Sequence, residues 1–241
     1  IMNYFVDEKS IVRQIWKKSD TVLLIFAGSA AEFALNKAVD WLYFTGKIPT
    51  NPLERLFSTV EYARKIVFAS EENALKAIDM MSQIHSAVEK SRGASIPDWA
   101  YRDVLFMLIH YSISGYEVLE NKLSEAEKEE VYNVFYRVGV RMGLKELPLN
   151  YIDWLPVREQ HLKENLQKSN FTEDLFKQYR KHLGLFRYRL LREAQKLVVP
   201  SIVNQLLNFS GFKMLPPVLI LYKISKKIKM DSFLKHLLLP K

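Results

Sequence analysis

Apolar residues recur every three or four positions along nearly the whole chain, the spacing of one face of an α-helix, and no stretch alternates with the two-residue period of a half-buried strand. The breaks divide the sequence into about eight to ten helices, which predicts an all-α fold. An amphipathic opening covers residues 6–17. A second helix starts at the Ser19/Asp20 cap and is expected to run to about residue 43, ahead of Thr45, Gly46 and Pro49. Asn51 followed by Pro52 starts a third, because the Asn side chain caps free amides and Pro tolerates the first helical position; it should reach residue 68. Ser70 with Glu71 and Glu72 opens a fourth, whose acids suit the positive end of the helix dipole and which stops near Gly93. A fifth follows Pro97/Asp98. A capping box formed by Ser124 and Glu127 starts the helix that ends at Gly143. Pro148, Pro156, Pro200 and the pair Pro216/Pro217 mark later breaks.

Composition agrees with this pattern. The 241 residues include only 8 Gly and 9 Pro, too few for the many turns of a sandwich or barrel. There is no cysteine, which excludes disulfide frameworks, thiolate catalysis, iron–sulfur clusters and Cys-based zinc sites. The longest apolar runs fall short of the ~20 residues needed to span a membrane. Asp7 and Glu8 stand where a secretion signal would be basic and then apolar, so the cytoplasm is the expected location. The net charge of +8 is concentrated at one end, since residues 213–241 hold seven lysines against Asp231 alone. The expected division is therefore one helical domain, 1–212, followed by a basic amphipathic segment, 213–241.

The fourth helix carries the most informative stripe: Ala74, Ala77, Ile78, Met81, Ile84, His85 and Val88 share one face. A neutral imidazole turned inward needs a hydrogen-bond partner or a metal on its nitrogens, so His85 is either a satisfied core histidine or a ligand. His110 poses the same choice inside the apolar run of residues 104–113. His161 and His182, among charged neighbours, are expected in solvent, and His236 belongs to the basic segment. On the third helix Arg55 and Thr59 are four residues apart, with Tyr62 and Ile66 continuing their line. Arg55 is placed either to clamp a carboxylate or to pair with Glu54 or Glu61 at the surface.

Asn51-Pro52-Leu53-Glu54-Arg55-Leu56-Phe57-Ser58-Thr59, then Val67-Phe68-Ala69-Ser70, Ile84-His85-Ser86-Ala87-Val88 and Leu108-Ile109-His110-Tyr111-Ser112 resemble, in this order, motifs of the family uniting latex-clearing proteins and MpaB-type oxygenases. Met142-Gly143-Leu144-Lys145-Glu146-Leu147-Pro148 and the later Leu197 to Pro200 and Met214 to Pro217 stretches are similar to further pieces of it. The resemblance covers about residues 22–222 and implies a globin-like all-α body that holds haem b, with His85 as the iron ligand and Arg55 and Thr59 near the haem. Ser58, Thr59, Arg55 and His110 are the candidates for the distal lining. The implied partners are dioxygen and an apolar, isoprenoid or lipid-like substrate. Ser58 stands where the latex-clearing branch carries lysine, and Glu32 sits in a segment where the family pattern is Leu-rich and contains Gln.

Two other classes compete. One is a helical haem or lipid carrier without turnover. The other starts from residues 213–241, whose interleaved lysines and aliphatic residues suit either an anionic membrane interface or packing on the body. Nucleic-acid binding is not expected, because the cluster Arg180, Lys181, Arg187, Arg189 and Arg192 lacks a recognition motif and reads as a solvated helix face. There is no zincin motif, di-iron pair, P-loop, dinucleotide fingerprint or serine elbow.

Overall fold

A computed structural model describes residues 3–44 and 52–209, the side chains of 52–56 excepted. Ten helices occur among the described residues: α1 Ile11–Lys17, α2 Ser19–Phe33, α3 Val39–Phe44, α4 Pro52–Phe68, α5 Glu71–Arg92, α6 Asp98–Leu119, α7 Glu125–Arg141, α8 Tyr151–Asn165, α9 Asn170–Val198 and α10 Ser201–Leu206. The extended contacts among them are two isolated bridges, Tyr4 with Ser70 and Asn36 with Leu166. The fold is all-α, as the periodicity predicts. No helix of the described residues is long and apolar enough to cross a membrane. Residues 213–241 lie outside the described residues.

At the centre lies α2, which packs most extensively against α6 and then against α9. Glycine makes the first approach possible: a Cβ built on Gly28 would lie 2.2 Å from the Tyr111 ring. Lower down the same crossing, one built on Gly115 would meet Leu24 Cβ at 3.3 Å. Four buried alanines, Ala27, Ala30, Ala31 and Ala34, extend this narrow surface along α2. Trp16, Phe106, Phe135 and Trp154 fill the wider gaps around it.

The helix ends follow local chemistry. The Ser70 hydroxyl accepts the Asn73 N–H, and Gly93, with φ of 67°, closes α5 in the left-handed conformation that glycine tolerates. The expected Ser124/Glu127 capping box is formed, and a second, Ser169 with Thr172, starts α9.

Three expectations are corrected. The helix expected over 19–43 is two, because the Asn36 side chain accepts the Ala38 N–H and breaks the ladder between α2 and α3. Pro156 does not end a helix; it lies inside α8. The N–H it lacks would have bonded the carbonyl of Ile152, whose residue is 59% exposed and open to water. The opening helix begins at Ile11 rather than residue 6, because the Ser10 hydroxyl caps it by accepting the Val12 N–H.

Candidate functional site

The apolar stripe of α5 does not close onto a solid core. Only Ala74 and Ile78 of that helix are buried, and Ile84 is 40% exposed. Beyond them Met81, Ile84, His85 and Val88 form one wall of a cavity. The facing walls come from Phe26, Ser29 and Phe33 of α2, Thr59, Tyr62, Ala63 and Ile66 of α4, Tyr101, Val104, Met107 and Leu108 of α6, and Phe135 and Val138 of α7. Trp41 and Leu42 of α3 line it as well. The space open to the centre of a water molecule is about 210 Å³, roughly fifteen times what one water requires.

His85 presents its ring to this space, and its Nδ1 is buried. The ring meets the edge of Tyr101 with centroids 5.1 Å apart and planes at 69°. The Tyr101 hydroxyl donates to Glu89 Oε1 at 3.2 Å, and the same oxygen accepts the Ile96 N–H at 2.7 Å. Glu89 lies one helical turn after His85, so α5 carries both the imidazole and the group that fixes the ring packed against it. Burial, aided by the nearby Glu89 charge, pushes the Tyr101 hydroxyl well above the ordinary tyrosine range, so it remains a donor.

Thr59, Tyr62 and Ile66 face the cavity from α4, on the line expected of them. Ser58 is half-buried beside them but does not line the cavity. Arg55 lies one turn before Thr59 on the same helix; its side chain is outside the described residues. The structure therefore brings His85 and Thr59 together and leaves Ser58 to one side. Ser29 adds a polar group not anticipated from sequence. Its hydroxyl is buried at the wall with no hydrogen-bond partner among the described residues.

His110 is not brought to this cavity. It points from another side of α6, hydrogen-bonded to the backbone of Val198 and edge-on to Tyr111 at 5.0 Å. Burial, with the Arg158 charge nearby, pushes its pKa down to about 3, so the ring is neutral.

Next to it lies a buried polar cluster absent from the expected site. Glu32 Oε2 accepts Arg158 Nη2 at 2.6 Å and the Tyr111 hydroxyl at 2.7 Å, and Glu32 is 1% exposed. Burial, with the Glu32 charge beside it, drives the Tyr111 hydroxyl far above its usual range.

His161 overturns its expectation. It is buried, not solvated, and its Nδ1 lies 2.5 Å from Asp103 Oδ1. Asp103 also accepts from Asn36 and Asn165, joining the end of α2 to α6 and α8. The reason is the face that α8 turns inward: Trp154, Arg158, His161 and Leu162 follow helical spacing, two of the four being polar. His182 is exposed as expected.

Among the described residues no group of three or more His, Asp or Glu side chains is placed to hold a metal ion. The site is thus a largely apolar chamber between helices, with one imidazole and a few hydroxyl groups at its walls. The chamber thus presents a single imidazole at an otherwise largely apolar wall, the make-up of a concave site for an apolar small molecule. The family model for the catalytic domain of the ER-bound oxygenases mpaB/B′ and rubber oxygenase matches residues 16–220, and the chain belongs to this family. No curated protein and no solved structure gives a significant match.

Proposed function

We propose that the protein is a haem b-dependent oxygenase that uses dioxygen on an apolar, isoprenoid or lipid-like substrate. The observation that carries this reading is that His85 and Thr59, on two neighbouring helices, face one apolar cavity. Membership of an oxygenase family supports the reaction class. The donor set supports the cofactor. A lone imidazole cannot hold a bare ion in a greasy chamber, whereas a tetrapyrrole would bring most of the iron's ligands with it and would ask the protein for a single nitrogen donor, which His85 would supply. The apolar lining suits the porphyrin faces.

On this reading His85 is the iron ligand, and Tyr101, held by Glu89, fixes the plane of its ring. Bound haem supplies the iron centre that activates dioxygen. Thr59, Ser29 and Tyr62 provide hydroxyl groups at the wall that orient polar atoms of a bound molecule, and Phe26, Ile66, Val104 and Leu108 exclude water and receive the apolar substrate. Arg55 stays a candidate for clamping a carboxylate, and Ser58 sits beside the wall; His110 serves the packing of α6 on α9.

The test is spectroscopic. Protein reconstituted with haemin should give a Soret band that His85→Ala shifts or weakens, while His110→Gln leaves it in place. A band indifferent to His85 would defeat the assignment. A second reading, a haem or lipid carrier without turnover, rests on Ser58 standing where the latex-clearing branch has lysine. Oxygen uptake with isoprenoid substrates separates the two. The organisation proposed with this function is a helical domain over 1–212 and a basic segment, 213–241, making peripheral membrane contact from the cytoplasmic side.

A further inference from the structure

Helix α9 does not run straight. Gly184 leaves the helical conformation, with φ of 71° and ψ of 171°, and the chain bends there. At the corner Leu185 and Phe186 are 57% and 62% exposed, against the tendency of large apolar side chains to be covered. Between Asp174 and Glu193 the sequence contains no acid, while Lys177, Arg180, Lys181, Arg187, Arg189 and Arg192 are all cationic. Arg180, Lys181, Arg187 and Arg189 are exposed and form no ion pair among the described residues. This sets the corner apart from the other charged helix faces, where Lys76 pairs with Glu72, Lys128 with Glu125 and Lys163 with Glu159. Arg192 is tied to the body instead, its guanidinium over Phe176 and Phe209.

We infer that this corner docks the protein on an anionic lipid surface, with Leu185 and Phe186 entering the acyl boundary and the surrounding arginines and lysine meeting lipid phosphates. Two adjacent apolar side chains are far too small a patch for a stable protein partner, which needs roughly 800 Å² per side. A nucleic acid would satisfy the cations and leave Leu185 in water. An anionic bilayer satisfies both, because it offers an apolar layer directly beneath a sheet of negative charge. The free guanidiniums lie within about two helical turns of the tip, close enough to reach headgroups when it is inserted. This inference is independent of the haem reading, and it adds a membrane contact within the described helices to the one proposed for residues 213–241.

The test uses the full chain and sedimentation with phosphatidylcholine vesicles, with and without phosphatidylserine. The wild type should bind the anionic vesicles and lose most binding to the neutral ones. Leu185→Ser with Phe186→Ser, and separately Arg187→Gln with Arg189→Gln, should each weaken binding roughly tenfold or more, with unchanged circular dichroism and melting. Phe186→Trp gives a direct readout: its added fluorescence should be quenched by brominated acyl chains in anionic vesicles. Equal binding of wild type and both double variants, equal binding to neutral vesicles, or no quenching at position 186 would overturn the inference. So would heparin retention without vesicle binding, which would make the corner a plain polyanion site.

Discussion

Arg158 and Glu32 show how strongly a single buried residue constrains this fold. Their ion pair, with side chains 5% and 1% exposed, joins α8 to α2 in the interior. Removing one partner leaves the other charged in a medium that solvates it poorly. Arg158→Met should therefore destabilise the protein by about 3–5 kcal/mol in urea unfolding, and adding Glu32→Gln should recover part of the loss. His110 makes a pH-dependent contribution of its own. Its folded pKa of about 3 lies below the ordinary 6.5, so between those values the unfolded chain binds the proton and the native one does not. Stability is then lost as pH falls through this window, by up to about 1.4 kcal/mol per unit. His110→Gln should lower stability at neutral pH by the lost packing and backbone hydrogen bond, yet narrow its deficit against wild type as the pH drops toward 4. A deficit that stays constant with pH would show the imidazole is not held neutral.

At the level of elements, periodicity located helices well and their inward polar faces poorly. The stripe of α5 and the Thr59–Tyr62–Ile66 line of α4 were readable because apolar residues dominate them, and both now line the cavity. The inward face of α8 was not, because Arg158 and His161 sit among Glu159, Gln160 and Lys163 and read as solvent-facing until Asp103 and Glu32 arrive from other helices. Partners distant in sequence leave no local trace. The same limit hid Tyr101 and Glu89, which gain meaning only when α5 and α6 are seen side by side. The α2–α6 crossing gives a direct test of element packing. A Cβ at position 28 would lie 2.2 Å from an aromatic carbon of Tyr111, itself buried and bonded to Glu32. The ring cannot swing away without breaking that bond, so Gly28→Ala should cost about 3 kcal/mol or more by overpacking. Ser124→Ala, which removes only the cap of α7, should cost about 1 kcal/mol. Thermal melts of the two variants should rank in that order.

For the whole molecule, the cavity is where the proposed function bears on stability. Helices α2, α4, α5, α6 and α7 all lend apolar side chains to it, and those side chains forgo part of the contact they would make in a filled core. A ligand that fills the space restores these contacts only in the folded state, so binding must raise stability by mass action. Haemin at one hundred times its dissociation constant adds about 2.7 kcal/mol, which for a chain of this size is a rise of roughly 5–10 °C in Tm. His85→Ala should lose much of that rise while melting near the wild type without haemin, since His85 is only partly buried and its removal leaves the rest of the wall intact. Leu108→Trp, which pushes bulk into the chamber from α6, should abolish the rise by a different route and need not lower the melting temperature of the free protein. A haemin-induced rise that survives both changes would place the binding site away from the chamber beside His85.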